Sequence, residues 1–148
     1  MEVCIAKKGS VLWIELIIYA GNCSWRAGKE LARLMREDNF RAWECVFAAR
    51  ENGLIAGFCT LTAKDAIPPD LPYTPFIGFV FVDEKFRGQR LSEQLIRKAV
   101  GNAQETGFDK VYLVSGEAGL YEKYGFTKKC YLETIYGETE QLFEFGSH

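Results

Sequence analysis

Histidine is almost missing from this chain, because the only one, His148, is the last of its 148 residues. Histidine is the general base in Ser-His and Cys-His catalysis, and it is the commonest side-chain ligand of metals. Its near-absence argues against a catalytic triad and against a histidine-based metal centre. We therefore expect an activity that uses no metal.

Paired cysteines are also missing. The five cysteines (Cys4, Cys23, Cys45, Cys59 and Cys130) are odd in number and scattered, and none forms a C-x-x-C pair. Disulfide frameworks of small secreted proteins use an even number of cysteines. We interpret these residues as reduced thiols, mostly buried as small hydrophobic side chains, in a reducing compartment.

A long apolar run and an excess of positive charge are lacking as well. The most apolar stretch, Val11–Ala20, is interrupted by Glu15, is far shorter than a membrane span and shows no cleavage site. The formal net charge of −2 differs from the basic excess of general nucleic-acid binders. We expect a cytoplasmic protein that binds neither membranes nor nucleic acids.

The chain does contain enough apolar material for one folded domain, since 48% of its residues are hydrophobic. We predict a single domain over residues 1–148. Val11–Ala20 favours a helix over a strand, and Ser24 can cap a second helix from Trp25 to about Arg36.

The middle of the chain predicts a β-hairpin and a stiff loop. Two β-rich runs, Trp43–Arg50 and Leu54–Thr62, meet at Asn52-Gly53, a dipeptide that tolerates the positive φ angles of a tight turn. All four prolines fall within Asp65–Pro75, so this segment cannot be a central strand. A stiff loop of this length is often functional.

The remaining elements alternate between strand and helix. Phe76–Val82 is apolar on both faces and is predicted to be a central strand. A helix follows Gly88 and ends at Gly107, so the next strand, 110–114, completes a parallel crossover unit. The last predicted elements are a brief helix (117–124) and two closing strands (126–131 and 140–145). The fold class is α+β, a mixed sheet with helices packed on it.

The segment Val80–Ile96 carries the strongest functional signal. An apolar run is followed by a charged turn, and Gly88 then opens a segment with helical spacing. The first backbone N–H groups of such a helix lack partners and coincide with the positive end of the helix dipole, which suits phosphate. Three basic side chains, Lys85, Arg87 and Arg90, strengthen the positive potential of the turn.

Two segments together resemble a known family. The stretch V-D-E-K-F-R-G-Q-R-L-S-E-Q-L is similar to the acetyl-CoA pyrophosphate loop of the GNAT superfamily of N-acetyltransferases. Further along, G-L-Y-E-K-Y-G-F (Gly119 to Phe126) resembles the family's second motif, a short helix with a tyrosine ahead of a Gly-Phe pair. The resemblance implies a GNAT-like fold, with a mixed, mostly antiparallel central sheet of six to seven strands flanked by about four helices.

The first motif departs from the family's usual pattern, Arg/Gln-x-x-Gly-x-Gly/Ala. Lys85 opens it, and Arg90 replaces the second small residue. Arg90 therefore either points away from the turn or contacts a phosphate itself. The segment between Val114 and Tyr121 is short, and it lacks the Asn that many members use near the pantetheine arm.

The resemblance implies that acetyl-CoA is the co-substrate. The backbone amides of the turn would grip its pyrophosphate: Arg87, Gly88, Gln89, Arg90, Leu91 and Ser92. The exposed backbone of Phe81 and Val82 would pair with the pantetheine amides like an added strand. A backbone N–H near Val80 or Phe81 would face the thioester oxygen and stabilise its developing charge.

The resemblance also implies a general acid. Tyr121 is the candidate, because a phenol with a pKa of about 10 is protonated at neutral pH and can donate to a departing thiolate. Tyr124 is expected to be a packing residue. Glu117 is the first candidate for the general base, with Asp65, Asp70 and Glu44 as alternatives, and some amines could lose their proton directly to water.

The implied function is acetyl transfer to a primary amine by direct attack in a ternary complex. The acceptor is a small-molecule or peptide amine, and the mild acidity of the chain favours a cationic one. One of the three tryptophans, Trp13, Trp25 and Trp43, is a candidate wall of the acceptor pocket. The alternatives are a non-catalytic acyl-CoA-binding or sensor module on the same fold and a CoA-independent interaction domain. Family habit makes a homodimer one option, and the sequence leaves the oligomeric state open.

Overall fold

The computed structural model describes residues 2–88 and 90–146. In these residues it has seven strands, namely β1 (Glu2–Ala6), β2 (Cys45–Glu51), β3 (Leu54–Thr62), β4 (Phe76–Val82), β5 (Lys110–Ser115), β6 (Thr127–Glu133) and β7 (Thr139–Gly146). The α-helices are α1 (Val11–Asn22), α2 (Ala27–Arg36), α3 (Leu91–Thr106) and α4 (Leu120–Lys123). A short 3-10 helix, Glu84–Phe86, lies between β4 and α3.

The strands form one sheet in the order β1-β2-β3-β4-β5-β7-β6. Among the described strands only β4 and β5 run parallel, and the other neighbours are antiparallel. β4 is the fourth of the seven, as its two apolar faces predicted. The predicted α+β fold, with a mostly antiparallel sheet of six to seven strands and about four helices, is confirmed.

Helices cover both faces of the sheet. Val46 and Ala48 of β2 pack in one buried cluster with α1 and α2, whereas Phe47 and Ala49 pack in another with α3. This is the period-two alternation of a strand that is buried on both faces. The cluster that contains Phe47 and Ala49 also contains the apolar face of α3, including Leu95, as the helical spacing of the sequence predicted.

The first two helices differ in how they begin. The predicted helix at 11–20 is confirmed as α1, in which Ser10 Oγ accepts a hydrogen bond from Trp13 N at 3.2 Å. The prediction that Ser24 caps the second helix is wrong. Trp25 and Arg26 first form a turn, so α2 begins at Ala27 without a side-chain cap.

Further differences concern short elements. β1 was not predicted, because its five residues carry little pattern of their own and the strand is defined by pairing with β2. The brief helix α4 is shorter than predicted, since Gly119 stands before it at φ +85°. The Asn52-Gly53 turn is confirmed, with φ angles of 52° and 79°.

All five cysteines are free thiols. Only Cys59 among them is fully buried, so the prediction that they are mostly buried is wrong. In the described residues, no helix is both long enough and apolar enough to cross a membrane.

Candidate active site

The turn between β4 and α3 is held in place by its first residue. The carboxylate of Asp83 accepts a hydrogen bond from Lys85 N at 3.1 Å and another from the hydroxyl of Tyr19 at 2.9 Å. The backbone bond from Lys85 is the main reason that the pKa of Asp83 is lowered. Asp83 is therefore a charged anchor that links the turn to α1.

The start of α3 leaves backbone donors uncapped. Gly88 and Arg90 adopt left-handed conformations, with φ angles of 88° and 59°. No side chain in the described residues caps the helix, so the N–H groups of its first turn have no side-chain acceptor among them. The side chain of Arg90 points to solvent and lies 3.7 Å from Glu93. Gln89 lies outside the described residues.

The sheet opens next to this turn. β4 and β5 pair at one position, Phe76 with Tyr112, and no pairing between them follows toward Val82. Phe79 has a φ of 49°, and the register between β3 and β4 shifts nearby. The backbone at Val80–Val82 therefore has no partner strand on its β5 side among the described residues.

A cleft of about 880 Å³ begins at this opening. It brings together the described residues proposed to bind acetyl-CoA and the first candidates for the general acid and base, namely Val80, Phe81, Val82, Arg87, Gly88, Arg90, Leu91, Ser92, Glu117 and Tyr121. Lys85 of the turn does not line this cleft. We call it the basic cleft, because two guanidinium groups line it against the single carboxylate of Glu117.

A second cleft of about 880 Å³ opens from the same split in the sheet. Its lining includes four carboxylates and one guanidinium: Glu30, Asp65, Glu138, Glu140 and Arg26. We call it the acidic cleft. The two clefts share Trp25, Val80 and Tyr121, so these three residues form their junction.

Tyr121 is buried at this junction, with 8% of its surface exposed. Its ring packs against those of Phe143 and Tyr124 at centroid distances of 5.6 and 6.1 Å. Burial, and next the charge of Glu117, raise the pKa of Tyr121 to about 12, while a hydrogen bond with Ser115 opposes the shift. The phenol is therefore protonated at neutral pH and available as a donor.

Tyr124 has a polar role that the sequence did not reveal. It was predicted to be a packing residue, but its hydroxyl lies 2.9 Å from Ser92 Oγ in the first turn of α3. This bond ties the C-terminal end of α4 to the first turn of α3. No local pattern could have predicted it, because it joins residues that only the tertiary fold brings together.

The candidate bases are separated by the structure. Glu117 is exposed and lines the basic cleft, whereas Asp65 lines the acidic cleft, where burial raises its pKa. Asp70 is exposed and lines neither cleft. Glu44 is occupied by backbone bonds from Arg41 N and Ala63 N, both at 2.6 Å, which gives it a structural role.

Among the tryptophans, Trp25 is the one that lines the clefts. Its ring stacks on Phe81 at a centroid distance of 5.9 Å and an interplanar angle of 3°. Trp13 is a buried residue of α1, and Trp43 packs on Phe108. Within residues 2–88 and 90–146, no group of three or more His, Cys, Asp or Glu side chains could hold a metal ion.

Comparisons with known proteins identify the family. A model of the acetyltransferase (GNAT) family matches residues 15–126. Over 120 residues the chain is 31% identical to the uncharacterized N-acetyltransferase YhbS of Escherichia coli, which covers 80% of this chain and 70% of that protein.

Solved structures share the fold at low sequence identity. A GNAT family acetyltransferase from Elizabethkingia anophelis, with acetyl-CoA bound, aligns with a TM-score of 0.68 at 19% identity, covering 99% of this chain and 97% of that one. An aminoglycoside 6'-acetyltransferase type Ii aligns with a TM-score of 0.75 at 15% identity and the same coverage. The chain therefore belongs to the acetyltransferase (GNAT) family, and its enzyme class is acyltransferase.

Proposed function

We propose that this protein transfers an acetyl group from acetyl-CoA to a primary amine by direct attack in a ternary complex. The observation that carries the proposal is the pair of clefts of opposite charge that meet at Tyr121 and Val80. An anionic donor and a cationic acceptor would each enter the cleft of opposite charge, and they would meet at one buried phenol. The bound acetyl-CoA of the Elizabethkingia relative supports the choice of donor.

The donor would lie in the basic cleft. Its pyrophosphate would bind the backbone amides from Arg87 to Ser92, Gln89 included, where the uncapped start of α3 offers donors and positive potential. Its pantetheine amides would pair with Phe81 and Val82, whose backbone lacks a strand partner on that side. The exposed side chain of Arg90 would exchange its 3.7 Å ion pair with Glu93 for a contact with a phosphate.

The reaction would then proceed in one attack. The lone pair of the amine forms a C–N bond with the thioester carbon, and the resulting oxyanion faces a backbone N–H near Val80 or Phe81. The oxyanion re-forms the carbonyl as the C–S bond breaks, and the Tyr121 hydroxyl donates a hydrogen bond to the thiolate that leaves with the electron pair of that bond. Glu117, directly or through water, takes the proton that the amine nitrogen loses.

The role of Tyr121 follows from its environment. Its pKa of about 12 exceeds the ordinary thiol value of about 8.5. Complete proton transfer from phenol to thiolate is therefore uphill, and the main contribution of Tyr121 is a hydrogen bond that stabilises the thiolate as it forms. Its burial strengthens such a bond, because the low local dielectric increases the electrostatic attraction between the donor and the thiolate.

The direct test is thiol release from acetyl-CoA with a panel of primary amines, joined to a thermal-shift titration. Acetyl-CoA at about 100 times its Kd is expected to stabilise the protein by about 2.7 kcal/mol. Arg87→Gln should weaken acetyl-CoA binding, whereas Arg36→Gln, which removes an exposed arginine outside both clefts, should not. Tight binding without turnover of any amine would favour the non-catalytic acyl-CoA module instead, and no thermal shift would refute both.

A further inference from the structure

We infer that Gln141 and Ser115 are positioning residues for the hydroxyl of Tyr121, an assignment that rests on the proposed function. Gln141 holds the chain just beyond the end of β5, and Ser115 in that chain donates a hydrogen bond to the phenol oxygen. The phenol then keeps its own proton for the departing thiolate. Both residues act through Tyr121 rather than on a reacting atom.

Gln141 joins β7 to the loop that follows β5. It pairs with Ser115, the last residue of β5, and only 8% of its surface is exposed. Its side-chain Nε2 donates to the carbonyl oxygen of Ser115 at 3.3 Å and to that of Glu117 at 3.0 Å. These carbonyls stand on both sides of Gly116, beyond the last pair of the β5–β7 ladder. One buried amide therefore holds a loop segment that the sheet no longer holds.

The same loop holds the hydroxyl of Ser115. Glu117 N donates to Ser115 Oγ at 3.0 Å, so the hydroxyl already serves as an acceptor on that side. It has a single proton to donate, and it shares its second hydrogen bond with Tyr121. Because Gln141 fixes the peptide units around Gly116, it also fixes the N–H group that orients this hydroxyl.

The bond between Ser115 and Tyr121 runs from the serine to the phenol. Burial, and next the charge of Glu117, raise the pKa of Tyr121 to about 12, whereas the bond with Ser115 acts to lower it. A hydrogen bond lowers the pKa of a phenol when it is donated to the phenol oxygen, because it then stabilises the phenolate. Tyr121 therefore receives the serine proton and keeps its own proton for another acceptor.

The surroundings of Tyr121 set the direction in which it donates. Its ring is packed between Phe143 and Phe126, at centroid distances of 5.6 and 6.4 Å. Ser115 lines the acidic cleft but not the basic one, whereas Tyr121 lines both. A donor on the acidic side of the phenol oxygen turns the phenol proton toward the basic cleft, where the thiolate would leave. The dipole is thus oriented before the reaction and need not reorganise during it.

The test asks whether Ser115 acts through the phenol. Ser115→Ala should lower the single-turnover rate of acetyl transfer about fivefold, as the loss of one hydrogen bond implies. The Kd for acetyl-CoA, from a thermal-shift titration, should change by less than about twofold. In a Tyr121→Phe background the same substitution should change the rate by less than about twofold, because the oxygen that receives the bond is gone. Thiol release with a fixed amine gives each rate.

Matched variants accompany this cycle. Ser115→Thr keeps the hydroxyl and should retain the rate to within about twofold. Ser10→Ala removes another serine hydroxyl that accepts a backbone N–H, at the start of α1 and outside both clefts, and it should leave the rate unchanged. Gln141→Met removes both amide donors at similar size. It should lower the rate at least as much as Ser115→Ala, and most of that loss should disappear in the Tyr121→Phe background.

The outcomes separate the positioning roles from the proposed function. An equal loss of rate in both backgrounds, or no loss in the protein that keeps Tyr121, overturns the role of the residue concerned while acetyl transfer stands. A wild-type protein that acetylates no amine and shows no thermal shift with acetyl-CoA refutes acetyl transfer itself. If Gln141→Met does not fold, Gln141→Glu replaces it, because it keeps the shape of the side chain and loses the N–H donors.

Discussion

Replacing Tyr121 with phenylalanine removes one hydroxyl from the junction of the two clefts and leaves the ring packing in place. If the hydroxyl hydrogen-bonds to the departing thiolate, the variant loses a bond to a charged group, which is worth about 1.5 to 3 kcal/mol. That loss corresponds to a decrease in kcat of about 10- to 150-fold. The Kd for CoA should change by less than about twofold, because the proposed pyrophosphate contacts lie in the turn before α3.

The pH dependence sharpens this prediction. Because burial and the charge of Glu117 raise the pKa of Tyr121 to about 12, the phenol stays protonated through the whole accessible range. Up to about pH 10, the kcat of the wild type should therefore fall no more steeply than the kcat of the Phe variant. The measurement is single-turnover acetylation of a fixed amine, monitored by thiol release from about pH 6 to about pH 10. It gives the rate of acetyl transfer in each protein and the pH dependence of that rate.

Tyr124→Phe is the matched control. It removes the 2.9 Å bond to Ser92 at the start of α3 but lies outside the acidic cleft. We expect it to raise KM for acetyl-CoA severalfold with little change in kcat. A kcat for Tyr121→Phe within about twofold of wild type, or an equal loss of kcat in both variants, would refute the general-acid assignment.

Three further predictions concern backbone contact and buried charge. Gly57→Ala would place a Cβ 2.4 Å from the carbonyl oxygen of Phe81, so it should displace β4 and weaken acetyl-CoA binding by about tenfold in a thermal-shift titration. Gly28→Ala would place a Cβ 2.4 Å from Ala20 O, so urea denaturation should show a free energy of unfolding lower by about 1 to 3 kcal/mol. Burial raises the pKa of Asp65 above 3.8, so its charge opposes folding at neutral pH. Asp65→Asn should therefore raise the free energy of unfolding at pH 7 relative to wild type. This gain in stability should vanish as the pH falls through the raised pKa toward 3.8. An equal gain at pH 7 and near pH 3.8 would contradict the prediction.

Much of the frame could be read from local pattern. The hairpin at Asn52-Gly53, the apolar strand β4 and the stripe of α3 each follow from residue type and spacing alone. The turn after β4 could also be predicted, because its glycine and its basic residues are adjacent in sequence and stand between an apolar strand and a helical pattern. The start of α2 and the strand β1 could not be predicted from the sequence. The start of α2 depends on a turn at Trp25, and β1 depends on pairing with β2.

The sequence by itself determined the fold class, the family and the segment that we propose binds the donor, because contiguous residues carry the periodicity and the motifs that indicate them. Only the tertiary structure decided which residues meet across the split between β4 and β5. It placed Trp25 and Tyr121 at the junction, tied Tyr124 to Ser92 and gathered Asp65, Glu138 and Glu140 into one cleft. The physical reason is that burial and charge coupling depend on distances between elements, which no local pattern encodes.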